Sequence, residues 1–251
     1  MRGTDHMAGH LKDLAEQSFQ HQIYTFTNFL TEGEQEILMA MHDELRYAGI
    51  SMFGGTQHSD RVVARFGSPE EFGYEQPFPI VCLKAQPVAE KYSEELSHRD
   101  YLGALMGLGI ERDLIGDIYP DGTRACIFCM EHIAEYIMEN LRQVRHTNIK
   151  LSVLETVPDH IGPDLEDLVT VVSSERLDAV ISKVFNLSRS QSIRLFQSDK
   201  VMINGIQSSS GSTICREGSK ISVRGFGKFI YAGSEGVTGK GRIRIRVRIY
   251  R

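Results

Sequence analysis

The stretch LIGDIYPDGTRACIFCM, Leu114 to Met130, decides how this chain is read. Pro120-Asp121-Gly122-Thr123 at its centre is turn chemistry, with proline presetting φ and glycine supplying conformational freedom. Leu114–Tyr119 and Arg124–Met130 flank it as apolar runs, so the stretch predicts a hairpin. Upstream, Ile80–Ala85 predicts a strand and Arg99–Leu108 a helix. Downstream, Glu131–Leu141 predicts a helix with Ile133, Ile137 and Leu141 on one face, and Ile149–Leu154 a closing strand.

The order β-α-β-β-α-β is that of a ferredoxin-like or RNA-recognition (RRM-like) fold. It makes residues 77–157 a middle domain, entered through Pro77-Phe78-Pro79. Residues 8–76 read as a mainly helical segment. Thr31 and Glu34 form a capping box ahead of Ile37, Leu38, Met41 and Leu45 on one helix face. Ser51-Met52-Phe53-Gly54-Gly55 breaks that pattern, and Val62, Val63 and Phe66 predict a short strand. Residues 1–7 (MRGTDHM) read as a cloning remnant outside the fold. Residues 158–172, with Pro158, Gly162 and Pro163, read as a linker into a C-terminal domain, 173–251. The fold class is α+β.

Charge divides the chain unequally. Ser173 to Arg251 holds 15 Lys and Arg against 5 acids, a net +10, whereas the whole chain is −5. Residues 1–172 therefore carry −15, and a pI near 6.0 averages two opposite surfaces. A basic region of this size points to a polyanion, with nucleic acid first and an anionic membrane surface second. The acidic front suggests a protein partner or a purely structural role. Four irregularly spaced cysteines fit a reducing cytosol better than a disulfide framework, which favours a cytoplasmic location. No apolar run reaches the roughly 18–20 residues of a membrane span.

In the basic region, Glu175–Asn186 predicts a helix, and Ser188 caps a second running to about Gln197. Val201-Met202-Ile203 with Asn204-Gly205 predicts a strand and turn, Ser208–Ser212 a flexible loop, and Lys220–Arg224 a returning strand. Arg176-Leu177-Asp178, Ser188-Arg189-Ser190, Lys200 to Gly205 and Ile221 to Gly225 occur in order and at the expected distances. This set resembles the RNA-binding domain named after ribosomal small-subunit protein four, the S-four domain, over residues 173–231. Asp199 stands where that family usually has glycine, and Ser219 where it usually has aspartate.

The start of a helix at Ser188 directs free N–H groups and a positive dipole end outward, which suits phosphate. The candidate RNA contacts are Arg176, Arg189, Ser190, Gln191, Arg194, Lys200, Asn204, Arg224 and Lys228. Arg242, Arg244, Arg246 and Arg248 join them. They alternate with Ile243, Ile245, Val247 and Ile249, so a strand puts all four guanidiniums on one face. An edge strand guarded by charge is the other reading of that alternation.

The run HRDYLGALMGLGI, His98 to Ile110, with Ile115-Gly116-Asp117-Ile118 and Phe53-Gly54-Gly55, resembles the bacterial YlmH family of S-four proteins over nearly the full length. Gln57-His58-Ser59-Asp60 is less basic than that family leads one to expect. The resemblance implies a non-enzymatic RNA-binding factor of ribosome-associated quality control, encoded near cell-division genes. Its partners would be ribosomal RNA of the large ribosomal subunit, and tRNA. An RNA-modifying enzyme and a membrane-associated division factor are the alternatives.

Other signals are weak. His98-Arg99-Asp100 imitates a kinase catalytic loop but lacks the downstream Asn. Gly107-Leu108-Gly109 lacks the third glycine of a dinucleotide fingerprint. His160-Ile161-Gly162-Pro163 only superficially resembles a synthetase motif. Cys126, Cys129 and His132 have zinc-like spacing without a fourth ligand, and in a strand the two cysteines face opposite ways. No catalytic, metal or cofactor site is predicted. Arg124–Met130 lacks the aromatic pattern with which RNA-recognition sheets stack bases, Phe128 being its one aromatic residue.

Overall fold

The structure, a computed structural model, describes residues 2–57, 59–158 and 161–250, in two compact units, Met1–Gly162 and Pro163–Arg251. Apolar residues at helical spacing (Leu11, Leu14, Ala15) form the inner face of α1 (Arg2–His21), which buries them with Leu38, Leu45 and Phe66. The helix runs through the segment read as a cloning remnant, and Met7 packs against this cluster. Residues 2–7, left out of the fold reading, thus belong to α1, and Met1 lies outside the described residues.

The strand β1 (Thr25–Leu30) leads into α2 (Glu32–Ala40) and α3 (His42–Leu45). The expected capping box holds: Glu34 N–H donates to Thr31 Oγ1 at 3.4 Å, and Thr31 N–H to Glu34 Oε2 at 2.7 Å. Next come β2 (Ile50–Phe53), β3 (Val62–Phe66) and the single-turn α4 (Pro69–Phe72). Strands β1, β3 and β2 form an antiparallel sheet in that order, so the segment is less helical than expected. Ile50–Phe53, read only as an interruption, finds its partner in β3.

The middle domain contains β4 (Ile80–Pro87), α5 (His98–Gly107), β5 (Ile115–Asp121), β6 (Arg124–Met130), α6 (Glu131–Asn140), β7 (Gln143–Val144) and β8 (Thr147–Val153). The sheet order β5-β6-β4-β8-β7 places the second, third, first and fourth main strands side by side, the ferredoxin-like arrangement. One face packs Leu83, Ile127, Cys129 and Ile149 against Tyr101 and Leu105 of α5 and Ile137 of α6. The opposite face, with Cys82, Cys126, Phe128 and Met130, is covered by Phe29 of β1 and Val63 of β3. This sheet is buried on both sides.

The second unit starts with β9 (Leu165–Val172) and continues with α7 (Leu177–Val184), α8 (Arg189–Gln197), β10 (Val201–Ile203) and β11 (Ile206–Gln207). It ends with β12 (Lys220–Val223), β13 (Gly227–Val237) and β14 (Ile243–Tyr250). Residues 165–172, expected within a linker, are thus a strand. They pair along their whole length with β14, a distant partner that no local signal reveals.

The sheet order β11-β10-β12-β13-β14-β9 puts β14 between two neighbours. The guarded-edge reading is therefore corrected: the Arg-rich strand is interior. Ile245 and Val247 are fully buried against Leu177, Val180, Ile181, Phe229 and Tyr231, while Arg244 and Arg246 lie exposed on the other face. Among the described residues no helix is long and apolar enough to cross a membrane.

Candidate nucleic-acid interface

The first turn of α7 and the start of α8 are brought together by short-range chemistry. Arg176 occupies the N-cap position of α7, and Leu177 N–H and Asp178 N–H donate to Thr213 O (2.8 Å) and Gly211 O (3.0 Å). The serine-rich loop, expected to be flexible, is tied down by these bonds and by Ser208 N–H to Val201 O at 3.0 Å. A Cβ on Gly211 would approach Asp178 Cβ to 2.9 Å, so glycine lets the loop reach the helix. Ser192, fully buried on α8, donates to Asp178 O at 2.8 Å and locks the two helices.

A cleft of about 430 Å³ results, lined by Val171, Val172, Arg176, Asp178, Lys183, Arg189 and Arg242, among others. Three of the predicted residues, Arg176, Arg189 and Arg242, meet there. Lys183 is a fourth cation that the sequence reading missed. It lies seven residues after Arg176, two helical turns, which is the signal that would have found it. Arg242 is set in place by the turn before β14, where Thr238 N–H donates to Arg242 O (2.7 Å) and Arg242 N–H to Thr238 Oγ1 (3.1 Å).

Asp178 is the one acid among the described residues that line the cleft. Arg176 grips it with Nε at 3.1 Å and a terminal nitrogen at 2.8 Å. These bonds hold the Asp178 carboxyl below its ordinary value against the opposing effect of burial, and raise that of Arg176. Arg176 is thereby oriented, with 41% of its side chain still exposed. The cleft keeps an excess of positive charge over one buried carboxylate.

The other predicted residues separate into groups. Ser190 and Gln191 serve the α8 start: Gln191 N–H donates to Ser188 Oγ at 3.2 Å, Ser188 N–H to Gln191 Oε1 at 2.8 Å, and Ser190 Oγ lies 3.1 Å from Ser188 Oγ. Asn204 (φ 48°) accepts from Lys220 N–H at 2.8 Å through Oδ1, so its carbonyl oxygen fastens a turn. Asp199 adopts φ 53°, the left-handed conformation that its place in the family pattern demands. Ser219 N–H donates to Arg216 O at 3.0 Å, closing its turn through the backbone.

Beyond α8, Lys200 N–H donates to Leu195 O (3.0 Å) and Arg224 N–H to Lys200 O (2.8 Å). Lys200 and Arg224 therefore stand side by side and exposed, near the end of the helix that carries exposed Arg194. Lys228 lies 4.7 Å over the Tyr250 ring.

The row of four guanidiniums is only partly as expected. Arg246 is engaged by Glu235 (2.6 Å) and Asp167 (3.4 Å), which raise its pKa, and Arg242 stands outside the strand at the cleft. Arg244 is exposed, and Arg248, half-buried, faces Asp167 across the β9 pairing.

In the first unit, Cys126 and Cys129 do face opposite sides of β6 and join different apolar clusters, which rules out joint coordination from this strand. Phe128 is buried beneath the loop at Gly54-Gly55. Gly55 has φ +102°, and a Cβ there would come within 2.2 Å of the Phe128 ring. Asp117 anchors the same loop, accepting from Asp60 N–H (2.6 Å) and the Tyr119 hydroxyl (3.1 Å), and burial pushes its pKa up. His58 of this loop and His160 lie outside the described residues.

Comparison with known proteins gives three findings. The family profile described as "Putative RNA-binding domain in YlmH" matches residues 77–157. The "Ribosome-associated protein quality control protein P2" of Bacillus subtilis (strain 168) is 31% identical over 225 residues, spanning 87% of this chain and 84% of that protein. The solved structure "Cell division protein ylmH from Streptococcus pneumoniae" aligns with a TM-score of 0.47 at 19% identity, covering 61% of this chain and 90% of that one.

Proposed function

The chain belongs to the YlmH family, and from that premise we propose that it is a non-enzymatic, cytoplasmic RNA-binding protein of ribosome-associated quality control. The observation that carries this reading is the cleft where Arg176, Lys183, Arg189 and Arg242 converge from a helix cap, two helices and a strand end. Cations from separate elements around one cleft match a phosphate backbone, which is bound by charge and register more than by base identity. Exposed Arg194, Lys200, Arg224 and Arg244 extend the basic surface. The 31% identical relative, whose name places it in ribosome-associated quality control, supports the biological setting.

The finer reading is that the protein binds ribosomal RNA of the large ribosomal subunit together with tRNA. Co-sedimentation with purified large subunits, with and without peptidyl-tRNA, tests it. Binding that tightens with the tRNA is the expected result. Failure to sediment with either form would remove the ribosome from the proposal.

A further inference from the structure

The turn between β12 and β13 holds an exposed phenylalanine among cations. Phe226 N–H donates to Val223 O at 2.9 Å, closing the turn, and Gly225 (φ +88°) and Gly227 (φ +130°) supply backbone conformations that other residues rarely adopt. Phe226 is 46% exposed, whereas Phe229, three residues on, is fully buried. Half-buried Phe185 bridges them, its ring centroid 5.9 Å from Phe226 and 5.7 Å from Phe229. The exposed ring is thus braced by the core and is costly neither to order nor to hold in place.

Its surroundings are cationic. Arg224 precedes it by two residues in the same turn, and the Arg224 N–H is bound to Lys200 O. Phe19 and Phe53, comparably exposed among the described residues, lie in the acidic first unit. We infer that Phe226 is a stacking platform for one unpaired base of the bound RNA, with Arg224 and Lys200 holding the adjoining phosphates. This rests on the RNA-binding reading and narrows its ligand to RNA with an unstacked nucleotide. An aromatic face beside positive charge is how proteins hold single-stranded nucleic acid without reading its sequence. Insertion into a bilayer fits less well, because the residues flanking the ring are Gly225 and Gly227 and then Arg224 and Lys228, which add no apolar side chain.

The test titrates the full chain against two RNA duplexes that differ by one bulged 2-aminopurine. Wild-type protein should prefer the bulged duplex and quench its fluorescence. Phe226→Ala should lose roughly tenfold on that duplex and little on the perfect one, while Phe226→Trp should keep the preference. No preference in the wild type, or equal loss on both duplexes, overturns the stacking assignment and leaves RNA binding standing. No binding to either duplex at low salt counts against RNA binding itself, and the inference falls with it. Sedimentation with phosphatidylserine vesicles that depends on Phe226, with no base preference, would assign the ring to membrane instead.

Discussion

The five-stranded sheet of the first unit and the six-stranded sheet of the second differ in how many faces they hide. The first carries helices on one face and the β1-β3-β2 sheet on the other, so its one aromatic on β6, Phe128, lies buried. The second buries one face and turns Arg244 and Arg246 outward. The profile whose description speaks of RNA binding matches the closed sheet, whereas the convergent cations belong to the open unit. A fold used elsewhere for stacking bases thus keeps its topology here with the face opposite its helices covered.

That contrast is open to direct attack, most forcefully at Phe128. Phe128→Ala should cost about 3–5 kcal/mol of stability, the range for emptying a packed aromatic site, and urea denaturation would measure it. RNA affinity per folded molecule should stay unchanged. A folded variant with impaired binding would mean that the covered face takes part after all.

Next in size is the double charge reversal Arg189→Glu with Arg242→Glu. Affinity for RNA should fall at least tenfold at low salt, and the slope of log affinity against log salt should flatten by about one per lost phosphate contact. Unchanged salt dependence would sink the cleft as the interface. Asp178→Asn probes the same place through stability. A carboxyl whose folded value is depressed contributes stability above its unfolded value and loses it as pH falls through the folded value. Acid denaturation of the wild type should therefore steepen below the ordinary aspartate range, and the variant should lack that component. The smallest effect belongs to Arg246→Glu, about twofold on RNA affinity, because Glu235 and Asp167 already engage that guanidinium and exposed ion pairs count for little. A loss there equal to that at Arg189 would return the whole Arg row to the interface.

Local signals were legible in the sequence because both partners lie within a few residues. The Thr31–Glu34 box, the Ser188 cap, the Asn204-Gly205 turn and the hairpin turn at Gly122-Thr123 are all of this kind, although β5 runs on through Pro120 and Asp121, which the sequence reads as part of that turn. What escaped depends on distant partners. Leu165–Val172 is a strand only because Ile243–Tyr250 pairs with it, and Ile50–Phe53 only because Val62–Phe66 does. The same holds at the site. Arg246 reads as a free cation until Asp167 arrives from another strand, and Asn204 as a contact until Lys220 claims its carbonyl oxygen. The alternation of Arg with Ile and Val fixed which face was polar, but not which guanidiniums were already engaged.

The pairing of β9 with β14 also sets an order of events. A chain made from its N-terminus has residues 165–172 long before residues 243–250, so the first strand of this unit must wait for the last. Closing so long a loop carries an entropic cost that the pairing must offset. Val171, Val172 and Arg242 line the same cleft, so the proposed cleft takes its full lining only once β9 and β14 have paired.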